Sequence, residues 1–264
     1  MQALPDDPVL LDGMAALALA AGAKALEIYR TDFVVDAKLD ASPVTEADRI
    51  GEEIILRGLR RLAAHIPILA EEAASGGDIP ALGREFFLVD PLDGTREFVT
   101  KTGEFTVNIA LIRDGAPAIG VVYAPAIGKL YCGRRGEGAS LARVADGKPG
   151  APRKIAARKT PPRGLVAVAS RSHRSPETDA FLSTLDVADF AAAGSSLKFC
   201  LIAEGLADIY PRHGRTMEWD TGAGQAVLEA AGGRVVACGG DAPLSYGKIA
   251  RGFDNPHFIA WGAR

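Results

Sequence analysis

The stretch Leu88–Phe98, LVDPLDGTREF, decides how this chain is read. An apolar run fit for a buried strand meets two carboxylates, a proline and a glycine within six residues. Taken alone, Asp93-Gly94 is ordinary turn chemistry. Asp90, however, stands where a strand emits its last residue, the place at which α/β proteins present ligand groups. Pro91 stiffens the turn between Asp90 and Asp93, so that the two carboxylates converge and the Leu92 carbonyl is exposed. Converging carboxylates repel unless something cationic lies between them. Oxygen donors without a neighbouring His or Cys suit Mg²⁺ rather than zinc. Gly94 and Thr95 continue the turn into a helix start whose free amides face an anion.

Outward from this stretch, three more acidic places share the pattern: Asp48, the Glu71-Glu72 pair and Asp220. Each also has a purely structural explanation. Thr45 can be an N-cap with Asp48 at the third helical position, a near capping box. Asp220 can cap the helix that follows Trp219. Glu71, though, follows the apolar run IPIL as Asp90 follows FFLV. Magnesium with phosphate is the natural sum of such a set, with Asp48 and Thr95 as orienters of an attacking water. Two familiar motifs do not fit. Aspartyl-phosphate phosphatases space their carboxylates two apart in Asp-x-Asp-Gly-Thr, whereas here they are three apart. EF-hand spacing is absent.

The 264 residues, 48% hydrophobic and 24% charged with a formal net charge of -3, describe a soluble chain with a large core. No long basic run is present, which argues against nucleic acid as a partner. Cys132, Cys200 and Cys238 lie far apart, read as small buried hydrophobes, and suit a reducing cytoplasm. The apolar segment Met14–Ala23 follows Asp6, Asp7 and Asp12 where a signal peptide needs positive charge, and it is short for a membrane span. It reads as the packed side of a first helix running to about Arg30.

The pattern predicts a second helix from about Glu46 to Ala64, a strand at EFFLVD, and an antiparallel meander at FTVNIALI, APAIGVVYAP and GKLYCGRR. The Gly/Pro-containing stretch from Asp146 to Pro162 divides the chain into an N-terminal half, 1–155, and a C-terminal half, 156–264. In the second half GLVAVAS, ADIYP and GRVVAC read as strands, and SPETDAFLSTL, SSLKFCLIAEGLA and WDTGAGQAVLEAAGG as helices. The expected fold class is layered α/β (α+β), helices and sheets alternating in two closely packed halves.

DPLDGT, the upstream EE after an apolar run, and a later WD opening a small-residue helix resemble the lithium-sensitive, Mg²⁺-dependent inositol monophosphatase superfamily. SPVTEAD, GEFTVNIALI, GVVYAP, ASRSH, GSSLKFCLIAEGLADIYPR and EWDTGAG are similar to its bacterial 3'(2'),5'-bisphosphate nucleotidase branch, from about residue 8 to the closing NPHFIAW. That resemblance implies the sugar-phosphatase fold and a site with two or three Mg²⁺ ions. Glu71, Asp90 and the Leu92 carbonyl match first-metal ligands. Asp90, Asp93 and Asp220 match the second metal, and Glu71 with water a third. Asp48 and Thr95 match the water-activating pair. Gly94, Thr95, Ser195, Lys198, Arg212 and Asp220 match substrate contacts, and His173 a residue near the adenine.

Each substrate contact has a plainer alternative: Ser195 as an N-cap, Lys198 as a solvated helix charge, Arg212 as a surface residue and His173 as a loop histidine. The implied substrate is 3'-phosphoadenosine 5'-phosphate, with its sulfated form beside it. Inositol or sugar phosphates are the alternative substrates, and a non-catalytic metal- or nucleotide-binding protein is the alternative of another class. Oligomeric state, monomer or homodimer, and peripheral attachment to the inner membrane stay open at this level.

Overall fold

The computed structural model describes residues 7–37, 43–169 and 175–264. Chain order is α1 (Asp7–Tyr29), β1 (Val35–Ala37), β2 (Pro43–Thr45), α2 (Glu46–Leu62), β3 (Ile68–Ala70), α3 (Glu71–Ser75), β4 (Glu85–Asp93) and α4 (Thr95–Val99). Then come β5 (Thr106–Arg113), β6 (Ala116–Ala124), β7 (Lys129–Arg134), β8 (Gly138–Ala145), β9 (Lys148–Pro149) and β10 (Arg153–Ile155). The remainder comprises β11 (Leu165–Ala169), α5 (Pro176–Ser183), β12 (Val187–Ala192), α6 (Leu197–Ala203), β13 (Ile209–Arg212), α7 (Glu218–Ala230), β14 (Arg234–Ala237) and β15 (Phe258–Trp261).

Two main sheets result. The first runs β10-β8-β7-β6-β5-β4-β3, with β9 on the side of β8 and only β3 parallel to its neighbour β4. The second runs β12-β11-β13-β15-β14. Strands β4, β5 and β6 are buried on both faces, which is why FTVNIALI reads as a continuous apolar run. Along them the side chains alternate as a pleat requires. Phe87, Val89, Ile109, Leu111 and Val121 pack with Leu10, Met14, Ile55 and Leu59 of α1 and α2. Leu88, Ala110 and Val122 face the other way, toward Phe199, Ala203, Ala223 and Val227 of α6 and α7 and, through them, Tyr210 and Phe258 of the second sheet. Leu182 of α5 packs with Ala167 and Ile209 behind that sheet. The layers are therefore helix, sheet, helix, sheet, helix.

Close approach of α7 to the first sheet needs glycine. A Cβ on Gly120 would sit 2.5 Å from both the Ala223 oxygen and the Ala226 Cβ. The predicted α1 is present. Its 23 residues are apolar and long enough to cross a membrane by length and composition, yet Leu10, Met14, Ala18, Ala21 and Ala25 are buried against the rest of the protein.

Several sequence readings change. The strand at EFFLVD does not stop at Asp90 but continues through Pro91 to Asp93, with an irregularity in its pairing to β5 between the two. Strands β1, β2, β8, β9, β10, β12 and β15 are absent from the sequence reading, being short or rich in small and polar residues. Helix α6 is shorter than SSLKFCLIAEGLA at both ends, delayed at its start by Ser195 with a φ of +48° and stopped before Gly205 with a φ of +73°. The three cysteines are free, but only Cys200 is fully buried; Cys132 and Cys238 are partly buried.

One ion pair ties the second sheet to the chain that crosses into it. Asp208, with its side chain fully buried, accepts from Arg158 Nε at 2.7 Å and Nη2 at 2.6 Å, and from the Val166 amide at 2.7 Å. Burial pushes its carboxyl up, but these bonds outweigh that and hold it below the ordinary aspartate value. A depressed folded-state pKa contributes stability that is present above the unfolded value and lost as pH falls through the folded one. Arg158→Met is therefore expected to destabilise the protein at pH 7. The cost should lie near the low end of about 3–5 kcal/mol for a broken buried pair, because Arg158 is 41% exposed. Urea denaturation at pH 7 and pH 3 checks it, with the gap between variant and wild type shrinking at the lower pH.

Candidate active site

The ends of β3 and β4 and the starts of α2 and α7 meet on one side of the first sheet. Asp48 lies in the first turn of α2, where it closes the expected capping box and also meets Thr95. Its Oδ2 accepts from the Thr45 amide and the Thr45 hydroxyl, each at 2.7 Å, closing a capping box. Its Oδ1 accepts from the Thr95 hydroxyl at 3.3 Å. That hydroxyl lies equally 3.3 Å from the Leu92 carbonyl. Asp48 and Thr95, 47 residues apart in sequence, are thus in direct contact, with Asp48 buried.

Asp220 was expected to cap the helix after Trp219. The N-cap is Met217 and α7 begins at Glu218, so Asp220 caps from within the first turn, its Oδ2 accepting from the Met217 amide at 2.8 Å. Asp90 accepts from the Leu92 amide at 3.0 Å and is fully buried. Asp93 takes a 3.4 Å contact from Asn108 Nδ2, and the Ser196 hydroxyl and amide also favour its charged form.

Asp90 and Asp220 are both held well above the usual carboxylate range. For Asp90 the first cause is burial, followed by the charges of Glu71, Asp93 and Asp220; for Asp220 it is burial, then Asp93 and Glu71. Burial raises Asp93 as well, opposed by the nearby Lys198 ammonium. Four acidic side chains therefore share one electrostatic neighbourhood from three separate places in the sequence. As they stand, no three His, Cys, Asp or Glu side chains among the described residues are drawn together closely enough to grip a metal ion. Closing on one requires these side chains to turn inward. The acidic side chains of this neighbourhood are all oxygen donors, the set a hard divalent cation takes. Asp90 and Asp220 carry a like-charge penalty that such a cation removes.

Around the carboxylates stand the expected substrate residues. Gly94 has a φ of +90°, and a Cβ there would meet Ser195 Cβ at 3.3 Å and the Glu104 oxygen at 3.2 Å, so glycine is needed on both counts. Ser195 is not an N-cap; Ser196 holds that position and donates its hydroxyl to the Asp220 carbonyl at 2.9 Å. The buried Ser195 hydroxyl lacks a hydrogen-bond partner. Lys198 is not a solvated helix charge. It is 7% exposed, burial brings its ammonium down to about 8, and Asp93 opposes that shift. Arg212 donates from Nη2 to the Arg215 carbonyl at 3.0 Å, while its buried Nε has no partner. His173 lies outside the described residues. Trp219 is buried beside Phe253.

Sequence reasoning missed Glu52, Asn108 and Ser196. Glu52 is the most consequential. Helix α3 starts at Glu71 with no side-chain cap of its own. Glu52, buried on α2, supplies one from outside: Oε2 accepts from the Glu72 amide at 2.7 Å and Oε1 from the Ala73 amide at 2.9 Å. It therefore fixes the turn that carries Glu71. Its position on the inner side of α2, beside Ala47, Asp48 and Ile55, was the available signal. Glu52→Ala should cost about 2–4 kcal/mol for two lost charge-assisted bonds, read as a lower urea midpoint with an unchanged slope.

Comparison with known proteins agrees with this architecture. The inositol monophosphatase family model matches residues 7–257. The chain is 42% identical over 258 residues to the 3'(2'),5'-bisphosphate nucleotidase CysQ of Shigella flexneri, covering 94% of this chain and 98% of that protein. The protein of that name from Escherichia coli K12 is 41% identical over 251 residues, with the same coverage. Among solved structures, CysQ from Bacteroides thetaiotaomicron superposes with a TM-score of 0.79 at 38% identity, covering 96% of this chain and 97% of that one. An inositol monophosphatase from Anabaena gives 0.74 at 28%, covering 97% and 91%. The layered fold and these matches establish that the chain belongs to the inositol monophosphatase family.

Proposed function

We propose that this chain is a Mg²⁺-dependent 3'(2'),5'-bisphosphate nucleotidase that removes the 3'-phosphate of 3'-phosphoadenosine 5'-phosphate, leaving AMP and inorganic phosphate. The sulfated form, 3'-phosphoadenylyl sulfate, carries the same scissile ester and is a second substrate in this reading. One observation carries it above the rest. Asp90 and Asp220 are held above the usual carboxylate range first by burial and then by neighbouring carboxylates, and Asp48 and Thr95 form a contacting carboxylate–hydroxyl pair at the same meeting of strand and helix ends. A fold retains such a cluster where a cation and a reacting water use it. Similarity to nucleotidases over nearly the whole chain supports the substrate class.

Glu71, Asp90, Asp93, Asp220 and the Leu92 carbonyl would hold two or three Mg²⁺ ions, which supply Lewis-acid polarisation of the phosphate and a lowered pKa for water. The chain's own residues do the rest. Thr95 donates its proton to Asp48, which leaves its lone pairs to accept from a water and aim it in line with the ester bond. The water proton passes through the Thr95 hydroxyl to Asp48 as the water oxygen bonds phosphorus and the P–O bond to the 3'-oxygen breaks, and a solvent water protonates that leaving oxygen. Lys198 and Arg212 add positive charge for the phosphate oxygens. Ser195 and Gly94 shape the floor beneath them, and His173 is assigned to the adenine. Three unpaired cysteines suit a cytoplasmic enzyme.

The test is phosphate release from 3'-phosphoadenosine 5'-phosphate, inositol 1-phosphate and fructose 1,6-bisphosphate, each with Mg²⁺, with EDTA, and with Mg²⁺ plus Li⁺. Preference for the adenosine bisphosphate, lost in EDTA, is the expected result. Preference for inositol 1-phosphate would move the chain to another substrate with the same chemistry. Silence on all three would favour a binding protein.

A further inference from the structure

Beside the carboxylate cluster runs a groove of about 340 Å³ whose lining includes Glu71, Trp219, Asp220, Phe253 and Arg215. Arg215 also lines an adjoining open pocket of about 620 Å³, together with Arg251, Asp254 and His257. It is the residue the two spaces share, and the described residues place it on the segment joining β13 to the start of α7. Its backbone is anchored, since its carbonyl accepts from Arg212. Its side chain is 68% exposed.

Arg215 bonds Asp254 through Nε at 3.0 Å, while Arg251 Nη2 reaches the other oxygen of the same carboxylate at 3.4 Å. Two guanidinium groups thus share one carboxylate, two positive charges against one negative. Because Arg215 uses Nε, its two terminal nitrogens form an open fork, the geometry that grips a phosphate bidentately. The charges of Lys198 and Arg212 act on Asp93 and Asp220, the carboxylates assigned to the scissile end, and neither residue lines this groove. A substrate bearing a second phosphate needs a cation farther out along the same groove.

We propose that Arg215, backed by Arg251 across Asp254, is the subsite for the non-scissile phosphate of the substrate and the residue by which this chain tells a bisphosphate from a monophosphate. The proposal rests on the nucleotidase reading above. It predicts what that reading alone does not, that selectivity for the second phosphate resides in one exposed side chain outside the carboxylate cluster.

The test is steady-state kinetics of wild type and Arg215→Met on adenosine 3',5'-bisphosphate and adenosine 3'-monophosphate, which share the scissile bond and differ only in the second phosphate. The bisphosphate-to-monophosphate ratio of kcat/KM should fall by about 10- to 100-fold in the variant, the magnitude of one lost charged contact. The loss should fall on KM for the bisphosphate. A ratio that stays as in wild type, whatever the overall rate, overturns the subsite. A wild type that shows no preference for the bisphosphate overturns the nucleotidase reading and this subsite together. The two failures are thus told apart by the wild-type ratio alone.

Discussion

Asp90→Asn is expected to lower kcat by about a thousandfold or more and, at the same time, to make the metal-free protein more stable. The two halves of this prediction come from one cause. The Asp90 carboxyl is raised well above the ordinary range, first by burial and then by Glu71, Asp93 and Asp220. A carboxyl with a folded-state pKa above its unfolded value, about 3.9, makes the native state bind more protons. Stability is then lost as pH rises from that unfolded value through the folded one. At neutral pH and without metal, the wild-type cluster is therefore a burden on the fold. Asparagine removes one charge from it, and an amide oxygen in the place of Oδ1 still accepts from the Leu92 amide. Thermal melts in EDTA should show the variant melting above wild type. With Mg²⁺ at a hundred times its dissociation constant, wild type should gain about 2.7 kcal/mol and the variant should gain little. A variant that melts lower than wild type in EDTA would show that Asp90 serves the fold and not a cation.

The second large effect is expected at Asp48. Asp48→Asn should lower kcat by about 10²–10⁴, the usual contribution of a general base, with little change in KM or in Mg²⁺ affinity. The assignment rests on the contact with Thr95, which places a proton acceptor behind the hydroxyl proposed to aim the water. Because Asp48 also closes the capping box at Thr45, the substitution has a structural cost, limited to about 1 kcal/mol since the amide oxygen still accepts from that turn. Measuring kcat, KM and the urea midpoint on one preparation separates the two roles. A loss of kcat no larger than tenfold would assign the base elsewhere.

Much of this was legible in the sequence, for identifiable reasons. The layered fold followed from apolar runs that are continuous in β5 and β6 and amphipathic in α2, because strands buried on both faces and helices buried on one leave different periods. The carboxylates were legible because a strand that delivers Asp90 into Pro91 and Gly94 has little structural reason to do so. Less legible were groups whose role depends on who folds beside them. Glu52 reads as one charge among several on a helix; only the packing of α2 on α3 turns it into the cap behind Glu71. Lys198 reads as a solvated lysine until α6 is seen wedged between α7 and the second sheet. Ser195 and Ser196 are adjacent and chemically identical, and the backbone at Ser195, with positive φ, decides which caps the helix and which faces Gly94. The small-residue strands β8 and β12 lack a period of their own and form by pairing with neighbours. His173 and its stretch lie outside the described residues, so the adenine contact rests on the resemblance alone.

The most direct test of the whole account is an equilibrium Mg²⁺ titration of the folded wild-type chain, by calorimetry and by the fluorescence of Trp219, which adjoins Asp220. Saturable binding that EDTA reverses, that Asp90→Asn abolishes, and that tracks phosphate release from 3'-phosphoadenosine 5'-phosphate over the same concentrations is the predicted result. Full phosphate release in EDTA, from a chain that binds no Mg²⁺, would contradict it.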